Sequence, residues 1–181
     1  MHQATSMTDP NNYNPYPMVH TIRCPKCSGP AIFHLPFRLL NPHETDALTH
    51  AQANPTVVVE QWGGWHVVSY FHDLYPWKVP ASGGYRHDDW GVCQCPQCGY
   101  KRKHQRQWPD DAYFVCEVEG KQLWAWTREH VATLKHYIES KDRNIRDYRG
   151  CGLFLHHIPT VFLRAKNRTT VVRKLQQLLE T

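Results

Sequence analysis

The sequence predicts an α+β fold in which two short cysteine-containing β-hairpins precede a further hairpin and C-terminal helices. Three observations support this prediction. The motif CPxC occurs twice, each time between residues of extended type. Apolar runs separated by glycine indicate further hairpins, and a helical period of apolar residues begins only after Thr127.

Length and composition indicate a globular protein. The chain has 181 residues, of which 41% are hydrophobic, and this is enough for one domain with a sizeable core. No apolar run approaches the roughly 18 residues that a membrane-spanning helix needs. The first residues also lack the pattern of a secretory signal, so we expect a cytoplasmic protein that makes no membrane contact.

The N-terminal part of the chain changes character near residue 18. Residues 1–17 are rich in Asn and Pro and have no apolar period, which predicts a flexible tail. Residues 19–35 and 90–105 then share one plan, because each has CPxC between strand-like residues. Gly29 and Gly99 follow the second cysteine of each motif, where the backbone is expected to turn sharply.

The cysteine spacing indicates a metal site. Two intervening residues let both thiolates of one turn reach the same ion, so two such turns supply the four ligands of a tetrahedron. The ligands are predicted to be Cys24, Cys27, Cys95 and Cys98. We expect one structural Zn²⁺ ion, with iron as the open alternative because a rubredoxin-like site uses the same spacing.

The two motifs and their flanking strands resemble the zinc-ribbon class of proteins. The resemblance implies a split four-cysteine zinc ribbon with two zinc knuckles, residues 19–35 and 90–105. It departs from the class in one respect, because residues 28–94 between the two pairs form a longer linker than usual.

Two alternatives concern the cysteines. The CxxC pairs are read alternatively as unrelated redox motifs, although such a motif normally leads from a strand directly into a helix, and here glycine follows each pair. Cys93 is a possible competitor of Cys95 for the ion, because residues two apart in a strand face the same side. We favour Cys95 and expect Cys93, Cys116 and Cys151 to be buried thiols.

Residues 36–89 form the predicted insertion between the knuckles. Two strand-like runs, residues 56–62 and 65–71, flank Gly63 and Gly64 and predict a hairpin. The insertion is dense in aromatic residues, which favours a core and leaves open a surface that stacks nucleobases or binds a partner protein.

Residues 112–181 are predicted to form a hairpin plus helices. The hairpin turns at Glu119 and Gly120, and a helix capped by Thr127 runs to about Lys141. A short helical turn follows Pro159, and a last helix covers residues 169–179. We therefore expect one zinc-containing domain over residues 18–181, with the aromatic insertion at 36–89.

The sequence favours a protein that is not an enzyme. It has no Walker loop, no GxSxG and no HExxH motif, and a four-cysteine site has no open coordination position. A metal-dependent nuclease is the less favoured alternative, since a second metal site needs only a few ligands. The candidates for such a site are His66, His72, His87, Asp88 and Asp89.

A basic strand after the second knuckle is the main indication of function. Its cationic residues, without an acidic residue between positions 90 and 108, are Lys101, Arg102, Lys103 and Arg106. They predict a nucleic-acid-binding accessory protein. The alternatives are a zinc-stabilised adaptor that binds a partner protein through its aromatic insertion or terminal helix, and a solvated edge strand whose charges prevent aggregation.

Overall fold

The computed structural model describes residues 19–71, 90–148 and 151–181. These residues divide into two compact units. We call residues 19–71 and 90–111 the cysteine unit, and residues 112–148 and 151–181 the helical unit. The predicted tail, residues 1–17, lies outside the described residues. The sequence predicts that residues 18–181 fold cooperatively as one domain. Two compact units do not test cooperativity, so this stays a prediction.

The fold is α+β, as predicted, with antiparallel sheets and five α-helices in the described residues. The strands are β1 (Val19–Arg23), β2 (Pro30–His34), β3 (Phe37–Leu40), β4 (Val58–Trp62), β5 (Trp65–Ser69), β6 (Trp90–Gln94), β7 (Lys101–Gln105), β8 (Phe114–Val118) and β9 (Lys121–Ala125). The helices are α1 (Thr45–Gln52), α2 (Arg128–Glu139), α3 (Gly152–His156), α4 (Thr160–Leu163) and α5 (Arg168–Glu180). None of the helices in the described ranges has both the length and the apolar character that a bilayer crossing needs.

A four-stranded antiparallel sheet in the order β1-β2-β6-β7 organises the cysteine unit. The hairpins β1–β2 and β6–β7 lie in the two segments that contain the CPxC motifs, and they join because β2 pairs with β6, with Phe33 opposite Cys93. Alternation places Ile22, Phe33 and Cys93 in a buried core on one face of this sheet. Strand β7 is left at an edge, as expected for a strand rich in lysine and arginine.

The insertion contains more structure than the predicted hairpin. The hairpin β4–β5 is confirmed, and its turn residues Gly63 and Gly64 have φ of 54° and 85°. Strand β3 and helix α1 were not predicted. β3 pairs with β5 in a three-stranded sheet, and Leu40 and Val68 form a small core with Ala51 of α1.

The helical unit has its own core, formed by the β8–β9 hairpin and helices α2 to α5. The predicted turn is confirmed, with φ of 51° at Glu119 and 69° at Gly120. Glu119 thus takes a backbone angle that glycine normally takes, and its carboxylate forms ion pairs with Arg164 and Lys166 at 3.3 and 2.8 Å.

Helix α2 begins where the sequence predicts. The Thr127 side chain accepts a hydrogen bond from the His130 N–H at 3.2 Å, so Thr127 is the N-cap. The predicted apolar face is buried, with Val131, Leu134 and Ile138 fully inaccessible. These residues lie in the same core cluster as residues of the β8–β9 hairpin, so helix α2 packs on the hairpin.

His130 makes the helical unit sensitive to acid. The side chain is 1% exposed and packs between Trp126 and Phe154, at ring distances of 5.2 and 5.0 Å. Burial lowers the pKa of His130 to about 4, against the opposing charge of Glu129. The folded state therefore holds a neutral imidazole, whereas the unfolded chain takes up a proton below about pH 6.5.

We expect the contribution of His130 to be fully present above pH 6.5 and lost as the pH falls toward 4, by on the order of 3 kcal/mol. Urea unfolding at pH 7 and pH 4.5 measures it. The difference in unfolding free energy between the two pH values should shrink in His130→Gln and persist in His157→Gln, which alters an exposed histidine. Equal acid sensitivity of all three proteins would contradict this assignment.

Candidate metal centre and the adjoining basic strand

The two cysteine turns have the same backbone hydrogen bonds. In the first turn the Cys24 N–H donates to the Gly29 carbonyl at 2.8 Å, and the Ser28 N–H donates to the Cys24 carbonyl at 2.9 Å. The second turn repeats both bonds, from Cys95 to Tyr100 at 2.7 Å and from Gly99 back to Cys95 at 3.1 Å. The repeated CPxC motif therefore corresponds to a repeated backbone structure.

The glycines have different roles in the two turns. Gly99 is left-handed, with φ of 68°, as the sequence predicts for a sharp turn. In the first turn the left-handed residue is Ser28, with φ of 60°, and not Gly29. Gly29 instead leaves room for the Gln97 side chain, whose Oε1 occupies the space that a Cβ would take.

Replacing Ser28 with glycine should stabilise the protein. A left-handed conformation costs an L-residue roughly 1–2 kcal/mol, and glycine escapes most of this cost. We expect Ser28→Gly to raise the thermal midpoint and Gly99→Ser, at the equivalent position, to lower it. Thermal unfolding of both variants in the presence of zinc checks this, and a lower midpoint for Ser28→Gly would contradict it.

The four predicted sulfur ligands lie together. The Sγ atoms of Cys24 and Cys98 are 3.7 Å apart, those of Cys27 and Cys95 are 3.6 Å apart, and all four lie within 4.8 Å of one another. In a tetrahedron with Zn–S bonds of about 2.3 Å, the sulfur atoms are about 3.8 Å apart. The cluster therefore has the spacing of a tetrahedral thiolate site.

Disulfide bonds do not account for this cluster. All seven cysteines are free, and the 3.6 Å between the Sγ atoms of Cys27 and Cys95 far exceeds the roughly 2.05 Å of a disulfide. The two close pairs also join different turns, Cys24 with Cys98 and Cys27 with Cys95. Each turn therefore contributes two sulfurs to one site.

Backbone N–H groups favour thiolates in this cluster. The Lys26 N–H donates to Cys24 Sγ at 3.4 Å. Burial raises the pKa of Cys95, but the N–H groups of Cys98 and Gln97 and the neighbouring thiols outweigh burial and lower the pKa to about 7.

At Cys27 the balance is the reverse. The Gly29 N–H lowers the pKa, but burial and the three neighbouring thiols outweigh it and raise the pKa to about 12. Ionisation of one sulfur thus opposes ionisation of the next. A cation is needed for all four to be thiolates together.

The remaining cysteines are buried, as predicted. Cys93 is fully inaccessible and does not belong to the four-sulfur group. Burial and the nearby sulfurs raise its pKa to about 12. Cys116 and Cys151 lie in the core of the helical unit.

The second cysteine turn leads directly into the basic strand. Lys101, Arg102 and Lys103 are exposed on β7, which begins three residues after Cys98. The Lys103 ammonium lies 4.6 Å from the centre of the Trp90 ring, and the Lys101 ammonium lies 5.3 Å from the centre of the Phe71 ring. The two lysines therefore share one face of the sheet with two aromatic rings.

Arg106 has a different environment from the three exposed cations. Its guanidinium lies 5.4 Å from the ring centres of both Phe33 and Trp108 and contacts His20 Nδ1 at 2.7 Å. His104, two residues earlier in the chain, has its Nε2 atom at hydrogen-bonding distance, 2.8 Å, from the Asp111 carboxylate. Of the four predicted nucleic-acid contacts, Arg106 is thus the one whose side chain is half-buried and packs against other side chains of the protein.

Aromatic residues of the insertion and of β6 are not all core residues. Trp65 is 47% exposed and Trp90 is 38% exposed, although residues of this type in short strands usually lie inside. Phe71 has φ of 58°, which is rare for a bulky residue, and its ring contacts that of His34 at 5.1 Å. The alternation of side chains along β6 and β7 could have indicated the exposure of Trp90, because it places Trp90 on the same face as Lys103.

The described residues contain one group of side chains placed to hold a metal ion, and it is the four-cysteine group. Of the proposed nuclease ligands, only His66 lies in the described part of the chain. His72, His87, Asp88 and Asp89 lie outside it. The predicted alternative of a nuclease therefore stays a prediction.

Comparisons of the chain with protein-family models, with curated proteins and with solved structures find no match.

Proposed function

We propose that this chain is a non-enzymatic accessory protein of the zinc-ribbon class that binds nucleic acid through β7. The observation that carries the proposal is the direct connection between the four-sulfur cluster and an exposed cationic strand. The metal would fix the turn at residues 95–100, and this turn sets the position of Lys101, the first residue of β7.

Zinc is the metal that fits this role best. Four thiolates select zinc or iron over the oxygen-preferring cations, and a closed set of four protein ligands is typical of structural zinc. The ion would hold the two hairpins together at the end of the sheet where both turns lie. It would supply no catalytic step, because no coordination position is left for water or substrate.

The charges on β7 suit a polyanion. Lys101, Arg102 and Lys103 are consecutive and exposed, and the Asp111 carboxylate, which follows β7 in the chain, lies 2.8 Å from His104. Lysine and arginine neutralise phosphates and release counterions, which makes the affinity depend on salt. Charges on an edge strand also prevent aggregation, so binding has to be measured rather than read from charge alone.

Charge reversal at Lys101, Arg102 and Lys103 tests the proposal. The slope of log affinity against log salt is negative, and each lost phosphate contact should reduce its magnitude by about 0.7 to 0.9. In the triple Glu variant we expect the magnitude of the slope to fall by about 2 to 3. At low salt its affinity should be at least about tenfold weaker than that of the wild type. Fluorescence anisotropy with a labelled oligonucleotide at several salt concentrations measures both quantities.

A matched control keeps the total charge change the same. Lys121, Arg128 and Lys141 are exposed residues of the helical unit, and their combined change to Glu should leave the slope near the wild-type value. An equal loss in both triple variants would mean that net charge alone attracts the oligonucleotide. That result would remove β7 as the binding site.

The exposure of Trp65 favours a second candidate function. At 47% exposed, beside the turn of the β4–β5 hairpin, it is suited to an interface with a partner protein. In such an adaptor, association would be insensitive to salt and weakened by Trp65→Ala, and the oligonucleotide titration would show no binding.

A further inference from the structure

The face of the four-stranded sheet opposite Ile22, Phe33 and Cys93 combines cations with aromatic rings around the fully buried Val92. We define the lysine–aromatic face as Phe71, Trp90, Lys101 and Lys103. Trp90 and Lys103 are neighbours across the β6–β7 pair, where Trp90 lies opposite Gln105 and Val92 lies opposite Lys103. The other end of the face is formed by Phe71, whose ring lies beneath Lys101 and beside His34.

We infer that this face binds single-stranded nucleic acid, with bases stacked on Trp90 and Phe71 and phosphates paired with Lys101 and Lys103. The inference rests on the proposed nucleic-acid-binding function and names its ligand class. DNA and RNA strands share this chemistry, since both have base faces and phosphates.

The geometry favours a single strand over a duplex. Aromatic side chains stack on the faces of unpaired bases, and in a duplex those faces are covered by neighbouring base pairs. A duplex offers instead its grooves, which admit a helix or a two-stranded ribbon. Strands β6 and β7 belong to a four-stranded sheet, so the face they present is broad.

Each lysine already lies against a ring, which couples the two kinds of contact. In the free protein Lys103 covers Trp90 at 4.6 Å and Lys101 covers Phe71 at 5.3 Å. When a strand binds, the ammonium groups move to phosphates and the rings become available to bases. Trp90 is 38% exposed even with Lys103 above it, so a base reaches the ring without repacking the core.

Apolar exposure extends the same face toward β1. Ile32 is 39% exposed and pairs with Gln94, which in turn pairs with Lys101. Val19 is 43% exposed and pairs with His34. Two exposed apolar side chains thus lie on the same face as the lysines, with the polar Gln94 between Ile32 and Lys101. Apolar contacts suit bases rather than phosphates.

The test compares labelled oligo(dT), oligo(U) and a DNA duplex of equal length by fluorescence anisotropy with the zinc-loaded full chain. The single strands should bind more tightly than the duplex. Trp90→Ala should weaken single-strand binding by about 5- to 150-fold, the range that corresponds to loss of one stacked base. Trp90→Phe, which keeps an aromatic ring, should restore most of the affinity.

Trp65→Ala is the matched control, because it removes an exposed tryptophan from the other sheet of the same unit. It should bind the single strand as the wild type does. Zinc content and circular dichroism of each variant identify any loss of folding. Tryptophan fluorescence gives a second readout, since quenching by the oligonucleotide should be smaller in Trp90→Phe than in the wild type.

The outcomes separate this inference from the proposed function. Equal affinity for duplex and single strand, or unchanged binding by Trp90→Ala, overturns the inference. If charge reversal at Lys101, Arg102 and Lys103 then still abolishes binding, the proposed function stands without it. Absence of binding to all three oligonucleotides overturns both.

Discussion

Cys95→Ser should lose the metal and unfold the cysteine unit. A structural zinc site contributes about 10–16 kcal/mol of binding free energy, which is as large as the whole stability of a typical domain, about 5–15 kcal/mol. Cys95 is 2% exposed, between the two hairpins. The hydroxyl of a serine at this position would therefore neither bind water nor replace the thiolate as a zinc ligand. We expect an aggregated or partly unfolded protein with less than one zinc per chain, as measured by elemental analysis and circular dichroism.

Cys93→Ser is the matched control for this prediction. Cys93 is equally buried and lies two residues away, but it does not belong to the four-sulfur group. Its replacement should keep one zinc per chain and cost only the modest penalty of a buried hydroxyl, about 1–3 kcal/mol. Loss of zinc from Cys93→Ser with retention in Cys95→Ser would contradict the ligand assignment.

Removal of the metal with a chelator under reducing conditions should unfold the cysteine unit first. Two of the four ligands, Cys24 and Cys95, belong to the buried core of that unit, whereas the core of the helical unit contains none of the four. We expect hydrogen exchange to increase strongly in residues 19–35 and 90–105 and to stay low in α2 and α5.

Two other results are informative. Simultaneous loss of protection in both units would show that the chain folds as one cooperative domain, as the sequence predicts. Unchanged protection in both units after complete removal of metal would show that the four-cysteine cluster does not stabilise the fold.

Short-range patterns account for what the sequence predicted correctly. CPxC turns, the glycines of the β4–β5 turn and the N-cap Thr127 each act through residues a few positions apart, so their structures follow from local chemistry. The four-sulfur cluster followed from a simple requirement, that two half-sites need each other to make a tetrahedron.

The features that were missed depend on long-range contacts. Strand β3 is defined by its pairing with β5, and α1 by packing against Leu40 and Val68, and neither has a strong period of its own. Ser28 is left-handed like its counterpart Gly99, and Gly29 is needed for the space that Gln97 of the other turn fills, a contact that the sequence alone does not reveal. Arg106 was grouped with the exposed cations because no local signal revealed its contacts with His20, Phe33 and Trp108.

Native mass spectrometry of the full chain, purified without reductant or chelator, tests most directly whether the four cysteines hold a structural zinc ion. We expect one zinc ion per chain, lost on acidification and absent from Cys95→Ser. A folded chain without metal, or a mass lowered by the hydrogens of two disulfides among Cys24, Cys27, Cys95 and Cys98, would contradict it.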